Sequence, residues 1–427
     1  MLRYCLLILA GAVGAAEVPT LEASLRSLVD QDRAARTQVA ELATRTATNQ
    51  TSEWFGSDPG WTEWSRASGD WSGARTGLER RGFSFSGNYV WDSSFPMAGD
   101  VSHAAIVRGL LDLSLEFNPE TWLGWPGGRF FVQSIGFHGR NGAEVVGDLQ
   151  GCSNIDAEHF TKLEEFWYEQ TMAGEQLRLK VGQVDANGEF AWVDAAGDFL
   201  CPTAGYSPSI FTLPTYPHAR LSVNLFVQPC EWFYAGAGAY GPELGDGFAG
   251  NHPFWIGEVG LQRAATAHVG AGRLALGVWQ ETAPVDRLDG GSRNGSTGFF
   301  SVGEQCVWRE HPDSEADQQG AVIFYQYGWA DRQVSAVAQH VAVGARWQGV
   351  VPGRDEDAVG IRYSWVQTSR VAGSGFSADE TNWESFYRCQ ATRFIALTPN
   401  LQWIHHPGGK AGRPDTLIFS LRAAIVF

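Results

Sequence analysis

The amino-acid sequence predicts an all-β fold, a transmembrane antiparallel β-barrel of about sixteen strands with a short helical segment ahead of it. Three observations lead there. Apolar and polar residues alternate with period two from Gly82 to Phe427. The chain holds 51 Gly and 18 Trp; glycine is costly in helices and serves turns and bulges, while tryptophan suits a membrane–water boundary. The last strand-like stretch carries one unbroken apolar face and ends on an aromatic residue. A mean hydropathy of −0.19 agrees with this, because half of the residues in a membrane strand face water.

In chain order, residues 1–16 read as an export signal. Arg3 supplies the positive start, Leu6-Leu7-Ile8-Leu9-Ala10 opens an apolar run that continues to Ala16, and Val13-Gly14-Ala15-Ala16 suit cleavage before Glu17 or one residue earlier. The run is too short to cross a bilayer as a helix, which takes roughly 20 residues. Across 17–50, Leu21, Leu25, Leu28, Asp32, Ala35, Val39 and Leu42 fall at alternating spacings of four and three, a heptad seam. The seam is short and Asp32 sits in it, so two readings stand: a periplasmic helix that makes the protein a homo-oligomer, or a lone amphipathic helix. Residues 51–70 turn polar, with Gly, Ser and scattered Trp, and predict a linker; the barrel takes 71–427.

Within the barrel, Phe83, Phe85, Tyr89 and Trp91 alternate with Ser84, Ser86, Asn88 and Asp92. Leu111, Leu113, Leu115 and Phe117 alternate with Leu110, Asp112, Ser114 and Glu116. A sandwich in water gives the same alternation with its apolar face inward, so the count of segments matters. Candidate strands lie near 82–92, 107–117, 128–138, 161–171, 176–185, 217–227, 232–240 and 253–264. Eight more lie near 272–281, 296–308, 319–328, 335–347, 356–367, 381–392, 394–404 and 415–427. Each approaches the ~10 residues a tilted strand needs to cross a membrane. Met172-Ala173-Gly174-Glu175 and Gln228-Pro229-Cys230-Glu231 are short turns, whereas the connections after the first, third, fifth and seventh strands are longer. Short periplasmic turns opposite long external loops are the asymmetry of an outer-membrane barrel. The two longest connections, 139–160 and 186–216, are rich in Gly, Asp and aromatics, which favours an ordered role. At the end of the chain, Leu417, Phe419, Leu421, Ala423, Ile425 and Phe427 share the apolar face. A closing strand of this kind looks like the signal read by the outer-membrane assembly machinery.

Composition excludes other classes. The chain has 47 Asp+Glu against 31 Lys+Arg, which disfavours nucleic acid as a partner. No GxSxG or Ser-His-Asp order suggests an enzyme. Cys5 falls in the export signal; Cys152, Cys201, Cys230, Cys306 and Cys389 form no CxxC and have no nearby His at ligand spacing, so no metal or other cofactor is expected.

The chain also resembles the carbohydrate-selective porins of the OprB family over 70–427. The matching residues are Asp70-Trp71-Ser72-Gly73-Ala74-Arg75 with Leu78 and Arg81-Gly82, then Gly124-Trp125-Pro126-Gly127-Gly128 and His138-Gly139-Arg140-Asn141. Gly147-Asp148-Leu149-Gln150, Ser153-Asn154-Ile155, Leu163-Glu164-Glu165-Phe166-Trp167-Tyr168-Glu169-Gln170 and Val181-Gly182-Gln183 with Glu189-Phe190-Ala191 follow. Gly257-Glu258-Val259-Gly260 and Pro407-Gly408-Gly409 through Pro414-Asp415 complete the series. The N-terminal heptads, the extra cysteines and Trp383 to Cys389 depart from the pattern. The resemblance implies passive diffusion of mono- or oligosaccharides through an outer-membrane barrel narrowed by external loops that fold inward. It makes the two long loops the natural candidates, and a disulfide between Cys152 in one and Cys201 in the other a specific expectation, against two separate buried thiols.

Sugar contacts follow from strand parity. With Phe166 and Tyr168 on the lipid side, Glu165, Trp167 and Glu169 face the lumen; with Leu177, Leu179 and Val181 outside, Arg178, Lys180 and Gly182 face inward. A turn centred on Ala173-Gly174 pairs Glu169 with Arg178 and Trp167 with Lys180. Carboxylates accept from sugar hydroxyls, Arg and Lys donate to them, and Trp covers the apolar face of a sugar ring. Ordinary cross-strand charge pairing explains the same residues without a sugar. Arg140, Glu189 and Trp192, in or beside the long loops, extend the candidate set. The competing reading of the whole chain is a soluble or envelope-attached carbohydrate-binding β protein without transport.

Overall fold

The computed structural model describes residues 53–56, 59–243, 252–265, 270–312 and 319–427. The expected export signal at 1–16 and the heptad helix at 17–50 lie outside the described residues. Among those described, sixteen strands form one closed barrel in which β1 pairs with β16 and every neighbouring pair is antiparallel. In chain order they are β1 (Phe83–Ala98), β2 (Ile106–Phe117), β3 (Gly128–Gly139), β4 (Phe160–Met172), β5 (Leu177–Val184) and β6 (Arg220–Cys230). Next come β7 (Phe233–Tyr240), β8 (Phe254–Arg263), β9 (Gly272–Asp286), β10 (Ser292–Arg309) and β11 (Gly320–Ala330). The ring is completed by β12 (Val337–Gln348), β13 (Ala358–Thr368), β14 (Glu380–Gln390), β15 (Ile395–His405) and β16 (Thr416–Val426). Closure leaves no sheet edge, the condition for placing strand backbone in hydrocarbon.

Period two has the expected outward consequence. Leu113, Val132, Leu225, Leu276, Val278, Ile323, Val343 and Ile361 remain exposed on the outer face. Aromatic pairs sit near both ends of that face. Trp308 and Trp347 meet at 5.4 Å toward the turn end, and Phe299 and Trp329 meet at 5.6 Å toward the loop end.

The inner face departs from the simple polar-in expectation. On β1, β2, β14, β15 and β16 most buried inward residues are polar, among them Asp92, Arg108, Glu384, Asn400, Gln402 and Ser420, with Ile106, Phe386, Ile404 and Ile418 the large apolar exceptions. On β8 to β11 they include Phe254, Ile256, Ala275, Trp279, Phe300, Val302 and Phe324, all buried. These wall residues form one apolar cluster with Phe190, Val193, Phe199 and Ile210 from the connection between β5 and β6. One side of the lumen is therefore a packed interior, and burial there, not lipid, removes the apolar side chains from water.

Of the stretch 51–70, expected to be a linker, the described residues 53–56 and 59–70 belong to the same compact unit as the barrel. Trp64 is 1% exposed, Trp61 meets Phe394 at 5.0 Å, and the Ala67 N–H donates to the Val426 carbonyl at 2.9 Å. Tryptophan anchors that polar composition obscures fix it in place. The following Asp70-Trp71-Ser72-Gly73 run has φ of 54°, 57° and 88° at Trp71, Ser72 and Gly73, left-handed backbone that turns the chain into a helix, α1 (Ala74–Glu79). Asp70 Oδ1 accepts from the Gly73 N–H at 2.7 Å. The turn delivers Arg75 to the closing seam. Arg75 is 2% exposed, and its guanidinium donates through Nη2 to the Phe85 carbonyl at 2.5 Å and the Phe427 main-chain oxygen at 3.0 Å. β16 stops short of the β1 end, so Arg75 serves main-chain oxygens that the ladder leaves unpaired.

Candidate functional site

Both long connections fold into the lumen, held by carboxylates on the barrel wall. Along 185–219, Glu165 accepts from the Asp185 N–H at 3.0 Å, Glu258 from Ala191 at 2.9 Å and Glu304 from Ala195 at 2.9 Å. Glu384 accepts from Leu200 at 2.6 Å and Cys201 at 3.3 Å, and Glu164 from Ala219 at 3.0 Å. Side chains add to this. Phe199 packs edge-on against Phe324 and Phe386, at 5.7 and 4.8 Å, and Asp198 pairs with Arg346 at 2.6 Å and Arg388 at 3.4 Å. In 140–159, Glu380 accepts from the Leu149 N–H at 2.9 Å, Arg108 meets Asp156 at 2.8 Å, and Gln402 donates to the Cys152 carbonyl at 2.8 Å. The Asn154 N–H donates to the Leu200 carbonyl at 2.6 Å, which ties one loop to the other. Burial raises the Asp148 carboxyl to about 6 and also raises that of Asp185.

The sequence-predicted residues Glu165, Trp167, Glu169, Arg178 and Lys180 do come together on the inner wall, and Glu189 joins them from the loop. Arg178 Nη1 lies 3.0 Å from Glu169 Oε2 and 2.7 Å from Glu189 Oε2. Lys180 Nζ lies 3.3 Å from Glu169 Oε2 and 2.5 Å from Glu189 Oε1. Arg129 Nη2, a residue sequence reasoning missed, meets Glu169 Oε1 at 2.9 Å. Three cations thus surround two carboxylates.

Three expectations need correction. The β4–β5 register pairs Glu169 with Lys180, Thr171 with Arg178 and Trp167 with Gly182, not Glu169 with Arg178 and Trp167 with Lys180. The turn spans 173–176, with left-handed Ala173, Gly174 and Glu175, and so shifts the pairing by two residues. An even shift preserves facing, which is why the inward set survived. Trp167 is no open platform: it is 9% exposed, stacked on Phe131 at 4.8 Å and covered by Lys180 at 3.9 Å. Finally, Cys152 and Cys201 are both free and buried. Their loops touch, yet Cys152 Sγ faces Asp156 Oδ2 at 3.5 Å, while Cys201 Sγ faces Thr203 Oγ1 at 3.2 Å and the Gln150 carbonyl at 3.5 Å. Burial pushes both thiols up, Cys201 to about 11.

The remaining candidates lie apart from the charge cluster. Arg140 is exposed at the start of its loop. Trp192 is half-buried under the Arg273 guanidinium, 3.7 Å from its ring centroid, and Arg273 in turn meets Glu258 at 2.6 Å. The loop-side halves of β1 to β5 and β16 are covered, as buried Asp92, Arg108, Phe137, Gln183 and Ser420 show, whereas Asn88, Asp112, Glu116, Arg129, Gln133, Arg178 and Arg422, in the middle and turn-side parts of the same wall, stay partly exposed. Gln133 donates to Asp112 at 2.9 Å; Arg422 holds Asp92 with two bonds of 2.8 Å and Asn154 at 2.7 Å. Parity was enough to place Asp112 and Glu116 inside. Nothing in the sequence said that these parts would remain open while β8 to β11 were covered.

The model of a protein family described as the carbohydrate-selective porin, OprB family, matches residues 102–427. Among curated proteins, Porin B of Pseudomonas aeruginosa is 23% identical over 427 aligned positions, covering 84% of this chain and 90% of that protein. Among solved structures, the high-pH structure of Pseudomonas putida OprB superposes with a TM-score of 0.78 at 19% identity, covering 86% of this chain and 99% of the other. The low-pH structure of the same protein gives 0.60 at 16% identity, with the same coverage.

Proposed function

From the premise that the chain belongs to the carbohydrate-selective porin, OprB family, an outer-membrane β-barrel porin for sugars, we propose that solute passes along the wall of β1 to β5 and β16. The observation that carries this reading is the seating of both long loops inside a closed barrel, which leaves polar residues partly exposed in the middle and turn-side parts of that wall. Passage is passive diffusion of mono- or oligosaccharides. Arg129, Arg178 and Arg422 offer donors, and Asp112, Glu116 and Asn154 offer acceptors, spaced along one wall so that a hydroxyl exchanges partners as it moves. Glu169 and Glu189 hold Arg178 in place, and Lys180 bonds the same two carboxylates; Trp167 acts through packing. Glu165 anchors the loop through its bond to Asp185. Arg140 and Trp192 meet solute outside the charge cluster. The apolar outer face is lipid-bound, and Phe427 is the residue offered to the assembly machinery.

Liposome swelling with sugars of graded size, read beside ion conductance in planar bilayers, tests this. Arg178→Ala is expected to change the relative swelling rates among sugars more than it changes conductance. Equal changes in both, or no sugar-driven swelling by the native protein, would refute a sugar path at this wall.

A further inference from the structure

The inward glutamates that meet the loops share one arrangement. Glu164, Glu165, Glu258, Glu304, Glu380 and Glu384 rise from β4, β8, β10 and β14, and each accepts at least one main-chain N–H from a loop inside the lumen. Glu384 takes two successive amides, of Leu200 and Cys201. Glu380 takes one from each of two connections, Leu149 at 2.9 Å and Gly408 at 2.7 Å. Irregular backbone inside a barrel needs acceptors that the sheet cannot supply, since its own carbonyls are spent in the ladder. A glutamate on the inner face is long enough to reach across to it, and its carboxyl oxygens can accept more than one N–H. The contacts along 185–219 fall at Asp185, Ala191, Ala195, Leu200, Cys201 and Ala219, so the first half of that loop and both of its ends are tied to the wall.

We propose that these six glutamates are positioning residues of the pore: by anchoring loop amides they set the aperture that selects solute size. This rests on the porin reading but makes a separate demand, because aperture also governs ions. Glu304 is the best test site. It is half-buried, accepts from the Ala195 N–H, and makes no ion pair among the described residues. Glu304→Ala removes the acceptor, whereas Glu304→Gln keeps an amide oxygen in the same place.

The full chain is purified in detergent, its folded fraction is checked by heat-modifiable migration, and it is reconstituted for liposome swelling and for single-channel conductance in salt alone. Losing one hydrogen bond to a carboxyl acceptor shifts the balance between seated and displaced loop by about tenfold or more. Glu304→Ala should therefore raise conductance, or add open-state fluctuations, and admit larger oligosaccharides relative to glucose; Glu304→Gln should stay close to the native protein. The proposal is overturned if the Ala variant matches the native protein, or if the Gln variant is as permissive as Ala. If the native protein passes ions and no sugar, the sugar reading fails, and the conductance comparison still decides the role of Glu304.

Discussion

Replacing Arg75 with Ala removes the clasp at the point where the barrel closes. Its Nη2 donates to the Phe85 carbonyl and the Phe427 main-chain oxygen, at 2.5 and 3.0 Å, from a residue that is 2% exposed. Each such charge-assisted bond contributes about 1.5–3 kcal/mol, and the truncation also leaves two main-chain oxygens short of a donor. Non-additivity trims the sum, so a loss of about 3–5 kcal/mol is expected. The β1–β16 seam joins strands far apart in sequence, so its contacts form late in folding, and much of that loss should appear in the unfolding rate. Unfolding would speed up by about a hundredfold or more. The assay is the unfolding rate in denaturant, followed by tryptophan fluorescence from detergent-folded protein. Arg75→Lys serves as a control that keeps charge but cannot serve two main-chain oxygens with a planar fork. Should Arg75→Ala unfold at the native rate, with unchanged equilibrium stability, the seam does not depend on this contact.

Three further outcomes follow from the loops. Cys152 and Cys201 should resist alkylation in the folded protein and both label fully once it is denatured without reductant; failure to label would restore the bridge. Asp148 carries a folded-state pKa raised by burial to about 6. Its contribution is therefore favourable below the unfolded value near 4 and is lost as pH rises through about 6. Asp148→Asn should flatten that part of the stability–pH curve and stabilise the protein at pH 7–8, by at most about 3 kcal/mol; a parallel curve shifted at all pH values would contradict this. Gly328 faces Ser207 and Ser209 of the lumen loop, and a Cβ there would collide with both side chains. Gly328→Ala should keep the barrel but displace the loop, read as higher conductance with unchanged heat-modifiable migration.

Much of the architecture was legible because a strand between two media writes its facing directly into alternate residues. Leu111, Leu113 and Leu115 against Asp112, Ser114 and Glu116 state which side meets lipid, and the strand positions follow from that repeat. Parity also placed Glu165, Trp167, Glu169, Arg178 and Lys180 inside, and a two-residue error in register left that result intact. Tertiary structure decided the rest. Phe254, Trp279, Phe300 and Phe324 turn inward as readily as a polar residue once a loop covers them, and no local pattern announces the cover. The same holds for Trp167, whose ring faces are taken by Phe131 and Lys180, and for Cys152 and Cys201, whose loops meet while their thiols turn to different partners. Alternation is a property of neighbours along the chain. Which part of the lumen stays open depends on where residues 140–159 and 185–219 come to rest, and that is set by contacts with strands up to a few hundred residues away.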